Sequence, residues 1–457
     1  MATWAGVTAR ETRGVPHASC LEVGRNEGAW VNENHAMRGL LVVGLSILLA
    51  ACGSGPIPSA AAPSPSPAVV ASASATPAVP LPSATPVSGT SFGSWTGLRW
   101  EAPALTAPYE TIADLVAFAG GVVAVGQLQT EHGNRAAAWT STDWRSWTRT
   151  FLDVPAAGDS TLWHVLPAGT GLVAIGSSGV QHCLPPPGEG QVCDPLPIGL
   201  WTSADGRAWH QVPTPAVLSG ASIAAVAAGP TGLVMVGDTG WDRPGIWTST
   251  DGVAWHRETL AAGVFGKAHL LGLAVAPGGW VLTGFVGGTQ PVCCAAARSY
   301  STPAAWFSAD GTHWQAAKMG SGAVAGWDMS IGRAFVGRDG LVAVGGLDNT
   351  GWISRDGRGW SARPSADGEP VIPWASDGTR VIGESFAGHN DLALWASTDG
   401  VAWQPLAATG AVDQMPGWSG PGVMADTAFA FATGVAFLGQ NGTLRSPVWF
   451  AEAVRGQ

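Results

Sequence analysis

Apolar residues recur along this chain as short runs bounded by glycine. Gly121-Val-Val-Ala-Val-Gly126 is the first. The same phrase, a Gly, four mostly apolar residues and a second Gly, returns at 171–176, 232–237, 279–284, 340–345, 378–383 and 434–439. Runs this short between turn residues predict strands rather than helices. Six of the seven are followed by a polar-and-aromatic phrase, Trp-x-Ser-x-Asp-x-x-x-Trp. It opens at Trp139, Trp201, Trp247, Trp306, Trp352 and Trp395 and closes at Trp147, Trp209, Trp255, Trp314, Trp360 and Trp403. Gly follows the Asp in five copies (Gly206, Gly252, Gly311, Gly357, Gly400), and Trp144 stands there in the first. Ser and Asp accept hydrogen bonds from turn N–H groups and Gly permits a positive φ, so each copy reads as a β-hairpin. A turn centred near the Asp would set the two indoles opposite each other on paired strands. A catalytic carboxylate is not needed six times over, so these residues read as scaffold.

Self-similarity at a period of roughly 43–62 residues is the signature of a propeller or solenoid. Seven apolar phrases against six hairpins leave one hairpin split between the chain ends. Pro447-Val-Trp449-Phe reads as a third strand, and Thr96-Gly-Leu-Arg-Trp100 as the fourth strand after a turn. The prediction is an all-β, seven-bladed propeller of four-stranded blades over residues 93–457, closed by pairing N- and C-terminal strands, which removes exposed sheet edges. In the third blade the strands are expected at Ser222–Ala228, Gly232–Gly237, Gly245–Ser249 and Val253–Arg257. No amphipathic helix is expected after residue 95.

The front of the chain has a different character. Met37 to Cys52 holds one positive charge, an apolar run, small residues and then Cys, a compact export signal too short to span a bilayer comfortably. Leu49-Ala50-Ala51-Cys52 resembles the bacterial lipoprotein cleavage box, which implies lipidation at Cys52 and anchoring to the outer face of the cell membrane. Glu11, Glu22, Glu27 and Glu33 do not fit a signal peptide, so translation is expected to begin at Met37, with 1–36 a mis-annotated extension. Residues 53–92 are dominated by Pro, Ala, Ser and Thr, a composition that buries no core and predicts a disordered linker with a reach of roughly 35 Å as a coil.

A net charge of −10 with only two lysines, Lys267 and Lys318, argues against nucleic-acid binding. No cofactor is expected. Four cysteines fall in the propeller, and an exported protein is in a disulfide-permissive compartment. Cys183 and Cys193 bracket a Pro-rich insertion and most simply bridge each other. Cys293 and Cys294 form a vicinal disulfide or cross-bridge to the other pair; the spacing leaves both open. His182 beside Cys183 is a weak metal signal, and no metal is predicted.

Both cysteine pairs lie between the second and third strands of their blades, on the face opposite the Asp-bearing turns. The long insertions Ser177–Ile198 and Phe285–Ala304 therefore decorate one face, where function concentrates on a rigid scaffold. Trp163, Trp241, Trp327 and Trp418 belong to the same face, with His164, Asp242, Arg243, His269, Asp328 and Asp413 as polar companions. Of these, Trp163, His164, Trp241, Arg243, His269, Trp327, Asp328 and Trp418 are the ligand-binding candidates. Aromatic faces beside hydrogen-bonding groups suit sugar rings or peptides.

The Ser-x-Asp-x-Gly-x-x-Trp hairpin resembles the Asp-box, or bacterial neuraminidase repeat, of sialidases and sialidase-like propellers, and the likeness covers most of residues 95–457. It implies the fold more than an activity. Sialidases carry an Arg-Ile-Pro segment, three arginines on the sugar carboxylate and a Tyr–Glu nucleophile pair. This chain has no Arg-Ile-Pro, and its only tyrosines are Tyr109 and Tyr300. Tyr109-Glu110 is the one candidate pair, but neighbours on a strand point to opposite faces. Asp328, Asp413 and Asp426 are the carboxylates available to a two-carboxylate hydrolase. The leading expectation is a lipid-anchored extracytoplasmic module that binds a glycan or an extracellular polypeptide. The alternative is a cell-surface glycoside hydrolase of the exo-α-sialidase-like group, with Asp328, Tyr109 and Glu110 as catalytic candidates.

Overall fold

The computed structural model describes residues 95–455 apart from short stretches, of which 102–108, 181–182, 185–191, 194–195, 240–242, 291–297, 328, 411–421 and 426–427 bear on the site. The extension 1–36, the export signal 37–52 with Cys52, and the linker 53–92 lie outside the described residues. The chain is all-β, its strands arranged as a β-propeller. Among the described residues the helical content is one 3-10 turn, Ala216–Leu218, and one α-helical turn, Ala262–Phe265.

The blade at 222–257 shows the unit. Ser222–Gly229, Gly232–Asp238, Pro244–Ser249 and His256–Arg257 pair in sequence order, all antiparallel. The fourth strand starts at His256 rather than Val253, because the N–H groups of Val253 and Ala254 are turned onto Asp251. First strands carry a bulge at one recurring place, between Ile112 and Asp114, Leu162 and His164, Ile223 and Ala225, Leu270 and Gly272, and Pro373 and Ala375.

The predicted count of seven separate sheets is corrected to six sheets of four or more strands among the described residues. The difference has a local cause. Trp95–Trp100 pairs antiparallel with Val448–Arg455, setting Leu98 against Ala453 and Trp100 against Ala451. It also pairs in parallel with Gln404–Gly410, and this second ladder merges eight strands into one sheet. The last apolar phrase is corrected too. Ala428–Ala432, not Gly434–Gly439, pairs with Gly422–Ala425 and Val448–Arg455. Ala436–Leu438 pairs instead with Thr443–Arg445.

The hairpin turns differ from expectation by two residues. Trp201 faces Gln211, Trp306 faces Ala316 and Trp352 faces Ala362, while Ser308 and Ser354 face Trp314 and Trp360. The indoles are therefore diagonal, because the turn is centred on the glycine rather than on the Asp. In the 203–209 turn the Gly206 N–H donates to Ser203 Oγ (2.8 Å), and the N–H groups of Arg207 and Ala208 donate to Asp205 Oδ1 (2.8 and 3.0 Å). Trp209 Nε1 then donates to the Gly206 carbonyl (2.8 Å). The same turn bonds to Ser and Asp recur at Asp251, Asp310 and Asp399.

The two sequence phrases meet between neighbouring blades. A Cβ on Gly206 would lie 2.7 Å from Val123; on Gly252, 3.0 Å from Val173; on Gly357, 2.3 Å from Val281; on Gly400, 2.6 Å from Val342. Each valine is the third residue of the preceding apolar phrase. The indoles follow: Trp247 and Trp255 pack with Val173 and Ile175, and Trp352 and Trp360 with Val281 and Phe307. A fully buried Trp contributes about 4–6 kcal/mol as an upper bound, so this contact is the main cement of the fold. The first turn is the exception. Trp144 takes a positive φ of 65°, and its buried ring packs beside Ala430 and Phe450, the ring centroids of Trp144 and Phe450 lying 6.5 Å apart. Register puts Ala430 where the other blades have the valine. Here a small residue faces a large one, the reverse of Val against Gly.

Candidate functional site

The repeated carboxylates are engaged by their own turns. Backbone N–H groups of Ser146 and Arg145 hold Asp143 far below the ordinary carboxylate range, and those of Ala208 and Arg207 lower Asp205. Burial pushes Asp251, Asp310 and Asp399 upward, but the turn N–H groups outweigh it and all three end lowered. Groups held ionised with their lone pairs occupied are poor proton donors. This leaves the opposite face as the place for a site.

That face is built more regularly than its insertions suggest. Phe285–Ala304 is no loose loop at its base: Gly279–Gln290 and Arg298–Ser308 continue as one antiparallel ribbon as far as Gln290 opposite Arg298. Gly326–Trp327 adds to this ribbon, Trp327 opposite Tyr300, and Ser301 Oγ donates to the Met329 carbonyl (2.7 Å). In the other insertion Cys183–Leu184 pairs with Val192–Cys193, with Cys183 directly opposite Cys193.

Trp163 and His164 lie at the bulge of Asp159–Ala168, both half-buried. His164 Nδ1 is 3.8 Å from Asp114 Oδ2, which accepts the Val165 N–H (3.1 Å). Asp114 sits at the equivalent bulge of the neighbouring first strand, so two blades meet through this pair. His269 stacks on Phe285, centroids 4.6 Å apart, and is half-buried. Arg243 is exposed and precedes the strand Pro244–Ser249. Tyr109 is exposed with φ 66°, whereas Glu110 is buried and ion-paired with Arg149. Trp241, Asp242, Asp328, Asp413, Trp418, Asp426, His182, Cys293 and Cys294 lie outside the described residues.

A cavity of about 500 Å³ at Arg243, lined also by Arg257, Glu258, Thr259, Leu260 and Phe265, was not foreseen from the sequence. Arg257 and Glu258 follow the closing Trp255 of a hairpin, where the repeat leads one to expect only scaffold. The available signal was the pair of charges two and three residues past that Trp. Among the described residues no group of three or more His, Cys, Asp or Glu side chains is placed to hold a metal ion.

The fold defines the class: a β-propeller whose repeated hairpin turns are held by their own Ser and Asp side chains. No protein-family model matches the chain. No curated protein matches it. Similar solved structures include Zg3597, a family 117 glycoside hydrolase of the marine bacterium Zobellia galactanivorans, at 10% identity over 79% of this chain and 93% of that one, TM-score 0.33. The Bacillus subtilis arabinanase Arb43A is 12% identical over 65% of this chain and 96% of its own, TM-score 0.30. Chaetomium thermophilum Sqt1, bound to the N-terminus of the ribosomal protein L10, is 12% identical over 79% and 100%, TM-score 0.35. Likenesses this distant carry no argument about what the chain does.

Proposed function

We propose that this chain is a lipid-anchored, extracytoplasmic propeller that binds a glycan or an extracellular polypeptide on the face opposite its Asp-bearing turns. The observation that carries the reading is Trp163 with His164: an aromatic side chain and a hydrogen-bonding ring held at a rigid bulge, half-buried rather than sealed in the core. On this reading the turn carboxylates are structural, and Glu110, paired with Arg149, is not free to assist Tyr109. The Asp-box resemblance is a likeness of scaffold.

The same reading takes the eight-stranded sheet as two blades joined at the parallel ladder, making seven in a closed ring. Contacts between successive first strands support this. They run from Glu110–Phe118 through Asp159–Ala168, Ser222–Gly229, Ala268–Ala276, Ala334–Val336, Ile372–Ser376 and Gly422–Ala425, and the last touches the first. Anchoring at Cys52 and export follow from the cleavage-box likeness alone. A Cys183–Cys193 bridge is supported by their register, since opposed Cα atoms in an antiparallel pair are about 4.5–5.5 Å apart, inside the disulfide range of about 4.4–6.8 Å.

A glycan array and fluorogenic sialosides test the reading together, using the fragment from residue 93. Binding without turnover is expected, with Trp163→Ala weakening it at least tenfold. Turnover of a sialoside would replace binding by hydrolysis as the function.

A further inference from the structure

We propose that Asp339–Gly340 is a modification site, where the main chain cyclises to a succinimide and reopens as isoaspartate, a reaction that six sister dipeptides are held against. Asp followed by Gly occurs eight times, at Asp205, Asp251, Asp310, Asp339, Asp356, Asp367, Asp377 and Asp399. Glycine has no side chain to keep other groups from its amide, so such pairs are open to ring closure. The Gly nitrogen attacks the Asp Cγ: an N–Cγ bond forms, a carboxyl C–O bond breaks, and the amide hydrogen leaves with the hydroxyl as water. One water then reopens the ring. When it cleaves the bond between the nitrogen and the original main-chain carbonyl, the chain continues through the Asp side chain. Nothing is oxidised or reduced.

Six of the seven described copies have both reacting groups pinned. At Asp205, Asp251, Asp310, Asp356, Asp377 and Asp399 the following Gly N–H donates to the hydroxyl of a Ser just before the Asp, at 2.8–3.0 Å. Each Asp Oδ1 accepts from the N–H two residues on, and in five copies from the next as well, at 2.7–3.0 Å. These bonds turn the carboxyl group toward later N–H groups and fix the plane of the Gly amide, so ring closure must first break them. Each bond broken slows the step about fivefold to tenfold. Asp339 has neither restraint. Among the described residues no hydroxyl receives the Gly340 N–H, and no main-chain N–H holds the Asp339 carboxylate, which meets Arg338 Nε at 3.5 Å. The side chains of Arg338 and Asp339 are 65% and 54% exposed, so water reaches the ring for the second step.

The location gives the change a consequence. Residues 337–340 turn between Ala334–Val336 and Leu341–Gly345 and sit against the next blade. The N–H groups of Arg338 and Asp339 donate to the Thr379 and Thr398 carbonyls (2.8 and 2.9 Å), a clamp that does not reach the Gly340 nitrogen. A Cβ on Gly337 would lie 2.3 Å from the Thr398 carbonyl oxygen. Isoaspartate lengthens this main chain by one carbon, which so close a contact does not accommodate. The junction between the two blades is expected to loosen as the protein ages.

The test is peptide mapping of the full chain after prolonged incubation at neutral pH, with isoaspartate counted by enzymatic methylation and mass spectrometry. It is expected to build up at Asp339 at least about tenfold faster than at Asp205, Asp251, Asp310 or Asp399. In urea all eight copies should react at similar rates. Asp339→Glu would need a six-membered ring, so it should stay unmodified and keep its thermal melt on ageing, whereas the aged parent melts lower. Ser249→Ala should bring the reaction to Asp251 in the native protein. Reaction at Asp339 no faster than at the held copies overturns the proposal. An excess at Asp339 that persists in urea also overturns it, because local sequence and not the fold would then set the rate. An unmodified Asp251 in Ser249→Ala would overturn the shielding assigned to the serine. Equal melts of the aged parent and aged Asp339→Glu would overturn the loosened junction.

Discussion

Gly252 meets two demands at once. Its φ of 77° is a region where a side chain is strained, and the space where a Cβ would stand is bounded by Val173 of the preceding blade at 3.0 Å. Gly252→Ala is therefore expected to cost about 1–3 kcal/mol, lowering Tm by roughly 2–6 °C in a thermal melt. An unchanged Tm would mean the valine yields freely and that the glycine serves the turn alone. The positive φ was legible from Asp-Gly in the sequence. The close approach was not, because the valine lies some eighty residues earlier and the pairing exists only once blades stack. Trp144 makes the same point in reverse, its meaning visible only beside Ala430 and Phe450.

At the scale of the hairpin, six Asp carboxylates act as acceptors for their own turns, and the lowered pKa values of Asp143, Asp205, Asp251, Asp310 and Asp399 make that a stability statement. The sign is set by the folded value lying below the unfolded one near 3.9. The stabilisation is then complete above about pH 4 and is lost as acid protonates the turns. Thermal melts are expected to be flat from pH 7 to 5 and to fall progressively below pH 4. Asp251→Asn should lower Tm at pH 7 and reduce the acid dependence. A Tm independent of pH down to 2 would show that solvent screening cancels the effect. The repeated turn was the clearest element in the sequence because its polar residues bond within a few positions of themselves. The cavity at Arg243 was not legible, since its walls come from the edge of one blade and the connecting helical turn after it, which carries no repeat.

At the scale of the molecule, the arrangement depends on a strand from the front of the fold lying beside one from its end. Leu98 and Trp100 are buried and pack with Trp374, Leu394 and Trp449, so Trp95–Trp100 is a core element, not trim. Charges reinforce the junction: Arg145 of the first hairpin pairs with both Glu101 and Glu452, and Glu452 also holds Arg99. Surface pairs of this kind contribute little individually, so burial of Leu98 and Trp100 stabilises the junction more than the charges do. The partnership was readable from the unmatched seventh phrase, whereas the parallel ladder to Gln404–Gly410 was not, because no pattern within a strand encodes its second edge. A variant lacking residues 95–100 would expose one edge of Val448–Arg455 and one of Gln404–Gly410 together. Its Tm is expected to fall by about 10 °C or more, with a broadened transition and dye binding by the uncovered apolar surface. Adding the six-residue strand back as a free peptide should restore part of the loss in proportion to its concentration, by mass action on the folded state. A deletion that melts as sharply and as high as the intact chain would mean the propeller holds together without joining its two ends.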